Sequence, residues 1–224
     1  MRLTEAVGEL RASADTTRRP GMARVGINVD RALGVSVPNI RRIARHCGTD
    51  HALALQLWGT GLHEARILAV LVADPGAMTS SERDRWVSGL DSWDVCDFAA
   101  DLFGSMPGAE RTIRAWARRP EPYVKRCAFS MIARAAVREK GWSDVRFERF
   151  LPLIRRAATD ERNEVRKAVS WALRQIGKRN RALHARALDT AEQIMALDSR
   201  SARWIARDAL RELRDPKTIG RIRA

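Results

Sequence analysis

The stretch Glu164-Val165-Arg166-Lys167-Ala168-Val169-Ser170-Trp171-Ala172-Leu173-Arg174-Gln175-Ile176-Gly177 decides the fold class. At 100° per residue, Val165, Ala168, Val169, Ala172 and Ile176 fall on one side and predict the core face of a helix. Lys167, Trp171, Arg174 and Lys178 fall on the opposite side, as a basic stripe with one indole in it. The helix opens on an apolar–basic step, Val165-Arg166, with apolar residues at +4 and +7. The same opening recurs at Val124-Lys125 and at Ala202-Arg203, so the basic members lie 41 and 37 residues apart, and Ala65-Arg66 supplies an earlier copy. Helix after helix at a period near 40 is the pattern of a HEAT- or armadillo-like solenoid.

Working outward, apolar residues recur at spacings of three and four along nearly the whole chain, and no stretch alternates as a strand would. Pro20-Gly21, Asp74-Pro75-Gly76, Gly104, Pro107-Gly108, Pro120, Pro122, Gly141 and Gly177 punctuate this into roughly a dozen helices. Ser80-Ser81-Glu82 and Thr159-Asp160-Glu161 predict helix starts, and Pro38, Pro107 and Pro122 suit first turns. Gly59-Thr60-Gly61 predicts a helix–helix turn. The expectation is an all-α solenoid with a concave basic face, forming a single domain over residues 1–224.

The chain has 224 residues, 41 Lys+Arg against 27 Asp+Glu, and a net charge of +14. That charge is unevenly placed. Residues 1–110 hold 12 basic and 14 acidic residues, whereas 111–224 hold 29 and 13. A half this basic predicts a polyanionic partner, with nucleic acid ahead of a membrane surface because no interfacial amphipathic segment is present. The apolar run Ile67 to Ala73 is too short to span a bilayer, and the early charges Arg2, Glu5, Glu9 and Arg11 give no secretory or transit signal. Cys47, Cys96 and Cys127 are odd in number and form no CxxC, so a cytoplasmic location with the thiols as small core residues is expected.

Candidate chemistry follows from the wheels. On residues 93–104, Val95, Phe98, Ala99, Leu102 and Phe103 predict the core face, while Trp93, Asp97 and Asp101 share the other side. A carboxylate beside an indole weakens DNA affinity, so Asp97 is either a helix-end or ion-pair acid or a chemical one. On residues 123–137, Val124, Ala128, Met131 and Ala135 face the core and Arg126 points away, in register with Lys167. Arg200, Trp204, Arg207 and Arg211 share one face of the last helix. For Trp171, packing against a neighbouring helix competes with stacking on a ligand. Any single arginine is ordinarily a solvated surface charge; several in register read as a groove. His46, His51, His63 and His184 show no metal-ligand spacing, and no GxxxxGK[ST], GxGxxG or GxSxG occurs. No metal and no cofactor are expected.

Four segments resemble the bacterial AlkD-like DNA alkylation repair glycosylases. They are Leu33-Gly34-Val35-Ser36-Val37-Pro38-Asn39-Ile40-Arg41, His63-Glu64-Ala65-Arg66-Ile67-Leu68, Asp91-Ser92-Trp93-Asp94-Val95-Cys96-Asp97 and Lys167-Ala168-Val169-Ser170-Trp171-Ala172-Leu173-Arg174. The resemblance covers roughly residues 20–215. It implies a HEAT-like fold cradling duplex DNA, and excision of cationic alkylpurines such as 3-methyladenine and 7-methylguanine that need not flip the base. It implies that Asp97 is the catalytic carboxylate, that Trp93 and Trp171 are the cleft tryptophans, and that Arg126 in Tyr123-Val124-Lys125-Arg126-Cys127-Ala128 is the cleft arginine. Some relatives carry two adjacent tryptophans; here Ser92 takes the first place. Lys125, Arg166, Lys167, Arg174, Lys178 and Trp204 complete the expected DNA-binding set, on a monomer whose partner is double-stranded DNA with alkylated bases. The competing expectations are a non-catalytic protein for distorted or branched DNA and a protein-interaction scaffold.

Overall fold

A computed structural model describes residues 1–222, and they fall into two compact units, Met1–Pro107 and the described residues from Gly108 onward. Among the described residues there is no strand. The first unit holds α1 (Leu3–Ala12), a 3-10 turn (Thr16–Arg18), α2 (Arg19–Arg24), α3 (Val37–Cys47), α4 (His51–Gly59), α5 (His63–Val72), α6 (Ser80–Ser88) and α7 (Trp93–Gly104). The second holds α8 (Ala109–Trp116), α9 (Pro122–Arg138), α10 (Asp144–Glu148), α11 (Leu151–Ala157), α12 (Asn163–Gly177), α13 (Arg181–Met195), α14 (Arg200–Leu213) and α15 (Pro216–Ile219).

In the first unit α5 is apolar nearly all round, which suits a helix packed on several sides. It contacts α3, α4 and α7, and His63, Glu64, Ala65, Ile67, Leu68, Ala69, Val70 and Val72 are buried. Two of the buried residues are polar, and both hold neighbours. Glu64 accepts N–H bonds from Leu33, Gly34 and Val35 at 2.8, 2.7 and 3.2 Å, satisfying a loop that would otherwise bury unpaired amides. Gly34 has φ +80°, and a Cβ there would lie 1.9 Å from the Asp15 carbonyl oxygen, so glycine is required on two counts. Trp58 of α4 stacks on Trp86 of α6, centroids 4.2 Å apart, with Arg66 over the Trp58 ring. Trp86 is buried and Trp58 half-buried, and full burial of a side chain of this kind contributes about 1.5–3 kcal/mol.

The second unit is a repeat. α12 packs against α9 on one side and α14 on the other, with α13 behind. The starts of α9, α12 and α14, Pro122, Asn163 and Arg200, reproduce the intervals of 41 and 37 residues. Contacts between these helices repeat as well. Arg126 donates to the Glu164 carbonyl, Ser170 Oγ to Asp208, and Arg174 to Glu212, each joining residues 38 apart. At Gly177 a Cβ would sit 2.8 Å from Leu213 and 2.9 Å from Ala187, so a side chain there would force α12, α13 and α14 apart.

Two predicted helix boundaries shift. α6 starts at Ser80, but its cap is Thr79, in a capping box with Glu82. α12 starts at Asn163 rather than at 159–161, because Asp160 is engaged by Lys125 and Arg162 instead of capping a helix. Pro38 and Pro122 are in first turns, whereas Pro107 precedes the Gly108 cap of α8. Cys96 and Cys127 are buried; Cys47 is only half-buried.

Candidate nucleic-acid interface

α7 presents Trp93 at its first residue and Asp97 one turn later, both half-buried. Its core face is Val95, Cys96, Ala99, Ala100, Leu102 and Phe103. Phe98, expected in that core, is only half-buried, and the Arg41 guanidinium sits 5.9 Å from its ring centre. The N-terminus of α7 is held by three hydrogen bonds to the segment before α3. Trp93 Nε1 donates to the Val25 carbonyl at 3.1 Å, the Asn28 amide N–H donates to Ser92 Oγ at 2.9 Å, and Asn28 Nδ2 donates to Asp91 at 3.2 Å. His63 Nε2 lies 2.9 Å from Asp94 in the same first turn, and Arg66 pairs with Asp91. Burial pulls the His63 pKa down, but the Asp94 hydrogen bond and charge, with Glu64 and Asp91, outweigh it, and the net shift is upward.

In the second unit the basic stripe is largely internally paired. Lys125 pairs with Asp160 at 2.9 Å, Arg174 with Asp208 and Glu212, and Lys178 with Glu212. Asp160 is pushed up by burial, but bonds from Arg162 and Lys125 hold it far below the carboxylate range. Arg126 is 5% exposed and donates to the Glu164 carbonyl, so the expectation that it points away from the core does not hold; α9 is buried on both sides. Lys167, its register partner, is exposed. Trp171 is half-buried, with the Arg134 guanidinium 5.3 Å from its ring centre. In the amide orientation that satisfies both donors, the Gln175 oxygen accepts from Trp171 Nε1 and Lys178 Nζ. Arg166 donates to Asn163 and lies over Trp204, 4.6 Å from the ring centre. Trp204 is 37% exposed and Arg207 is exposed beside it.

The model of the DNA alkylation repair enzymes matches residues 6–213. The chain belongs to that family. No curated protein sequence matches this DNA alkylation repair family member. A solved structure described as "a new family of proteins related to the HEAT-like repeat DNA glycosylases with affinity for branched DNA structures" superposes with a TM-score of 0.80 at 18% identity, covering 94% of this chain and 95% of its own. An engineered protein and a designed armadillo repeat protein, each at 13% identity, reach TM-scores of 0.44 and 0.41, covering 96% and 95% of this chain and 99% and 100% of their own. The first likeness shows a HEAT-like fold, as the repeat predicts.

Within this family member, the expected residues sort by unit. Trp93 and Asp97 belong to the first unit, on one face of α7. Lys125, Arg126, Arg166, Lys167, Trp171, Arg174, Lys178 and Trp204 belong to the second, on α9, α12 and α14 or the turn that ends α12. Sequence reasoning missed Val25, Asn28, His63 and Asp94, which position α7, because tertiary bonds 31 to 68 residues long carry that role. It also missed Arg134 over Trp171. A signal existed there: the two lie 37 residues apart, one repeat. Ser92 is fully buried and fastens the Asn28 loop to α7.

Proposed function

We propose that this protein is a DNA glycosylase that releases cationic N-alkylated purines, of the 3-methyladenine and 7-methylguanine type, from duplex DNA. The observation that carries the reading is the Trp93–Asp97 pair. An indole and a carboxylate lie one turn apart on α7, with the indole N–H tethered to the Val25 carbonyl. Alkylation at a ring nitrogen makes the base a good leaving group and drives the sugar toward an oxocarbenium ion. A carboxylate stabilises that charge and orients the attacking water, and indole faces stabilise the same cation. Because the substrate carries its own activating charge, no strong general acid is called for. In the second unit, half-buried Trp171 and exposed Trp204 offer indole faces to DNA, and exposed Lys167 and Arg207 offer cations to its phosphate backbone.

Base release from a methylated duplex tests this. Asp97→Asn is expected to lower single-turnover release by at least about 100-fold, with duplex affinity retained. Equal release by the variant and the parent chain overturns the assignment.

A second reading is non-catalytic binding of distorted or branched DNA. It is favoured by the branched-DNA affinity described for the 18%-identical HEAT-like protein and by the ion pairing of Lys125, Arg174 and Lys178. It predicts tight, salt-sensitive binding to a four-way junction and no release of any alkylated base.

A further inference from the structure

We propose that Arg24, with Arg18, forms a phosphate-binding element of the first unit that grips the DNA backbone beside the reacting sugar. The inference rests on the reading that Trp93 and Asp97 face that sugar.

Three observations support it. First, residues 16–29 carry Arg18, Arg19 and Arg24 and no acid, an island of positive charge in a near-neutral unit. Second, only Arg19 is used to close the segment, its Nη2 donating to the Val29 carbonyl at 2.8 Å. The side chains of Arg18 and Arg24 are exposed and make no hydrogen bond or ion pair among the described residues. Third, the segment is fastened to α7 by the Trp93–Val25 bond and by both Asn28 bonds. Arg24 is therefore the residue next to the carbonyl that holds the Trp93 indole.

Electrostatics gives that placement a purpose. Asp91, Asp94, Asp97 and Asp101 lie within or just before α7, and their charge repels a phosphate backbone. His63 pairs with Asp94 and Arg66 with Asp91. Cations on the adjoining segment oppose that repulsion, and a guanidinium fork fits phosphate oxygens bidentately. Arg24 lies within a side chain's length of the indole, and a phosphodiester lies within one nucleotide of every sugar. One arginine can thus hold the strand whose sugar meets Trp93 and Asp97.

The test is a salt titration of binding to an unmodified duplex, run beside single-turnover release of 7-methylguanine. Arg24→Gln and Arg18→Gln should each lower the slope of log K against log salt by about 1. Arg24→Gln should also slow release about tenfold, the loss of one charge-assisted hydrogen bond. Arg11→Gln, the same charge change on α1, should alter neither. An unchanged slope in Arg24→Gln overturns the proposal, as does an equal fall in Arg11→Gln. If the slopes fall as expected but no variant, nor the parent chain, releases base, the phosphate contact stands and the glycosylase reading fails.

Discussion

His63 Nε2 lies 2.9 Å from an Asp94 carboxylate oxygen, with His63 6% exposed on α5 and Asp94 in the first turn of the helix that carries Trp93 and Asp97. The pair raises the His63 pKa above its unfolded value near 6.5. Its stabilisation is therefore complete below about pH 6.5 and is lost as pH rises through the folded-state pKa. Urea midpoints measured from about pH 5.5 to 8.5 should fall across that window. His63→Gln should flatten the fall, and a fall of undiminished size in the variant would refute the linkage.

The acid side behaves oppositely. Asp160 is held well below its unfolded value of 3.8 by Arg162 and Lys125, and Glu212 below 4.5 by Lys178 and Arg174, in both cases against the cost of burial. Both contribute stability that is present above those unfolded values and lost as pH falls through the folded ones. Asp160→Asn should cost about 1–3 kcal/mol at neutral pH and make acid unfolding shallower, measured by circular dichroism.

Glu64 and Gly34 form a single locking point. Glu64→Gln replaces a charged acceptor of three N–H bonds by a neutral amide, and should destabilise the chain by about 2–4 kcal/mol. Gly34→Ala meets the Asp15 carbonyl at 1.9 Å with φ +80°, and should cost at least about 2 kcal/mol. Denaturant midpoints check both; a neutral outcome at either position would show that the 33–35 loop is dispensable.

Basic residues in the second unit should divide by their partners. Lys167→Ala and Arg207→Ala remove exposed cations, and each should reduce the salt slope of duplex binding by about 1 with little effect on stability. Lys125→Ala and Lys178→Ala break pairs with Asp160 and Glu212, and should lower the melting temperature while changing the salt slope less. Equal slopes lost in both sets would mean that the ion pairs open on DNA.

Helix register was legible in particular residues. Val165, Ala168, Val169, Ala172 and Ile176 are all fully buried, and the Ala65-Arg66 copy opens on the most buried helix of the first unit. Pattern reading failed where a residue's partner comes from another element. Arg126 and Lys167 share a register position, yet one is buried and the other exposed, because α9 is covered on more sides than a wheel can show. Phe98 fits an apolar stripe by angle and still reaches Arg41 at the edge of the core.

The sequence by itself determined an all-helical repeat, its period, the core face of each repeat helix and the uneven charge between halves. These follow from local backbone geometry, which places residues three and four apart on one face whatever lies beyond it. Only the tertiary structure decided which charges stay available. Asp208 and Glu212 reach α12 from the next repeat and neutralise Arg174 and Lys178, while Arg18 and Arg24 meet no such partner among the described residues. A net charge is a sum over the chain; an affinity for phosphate depends on the cations that packing leaves unpaired.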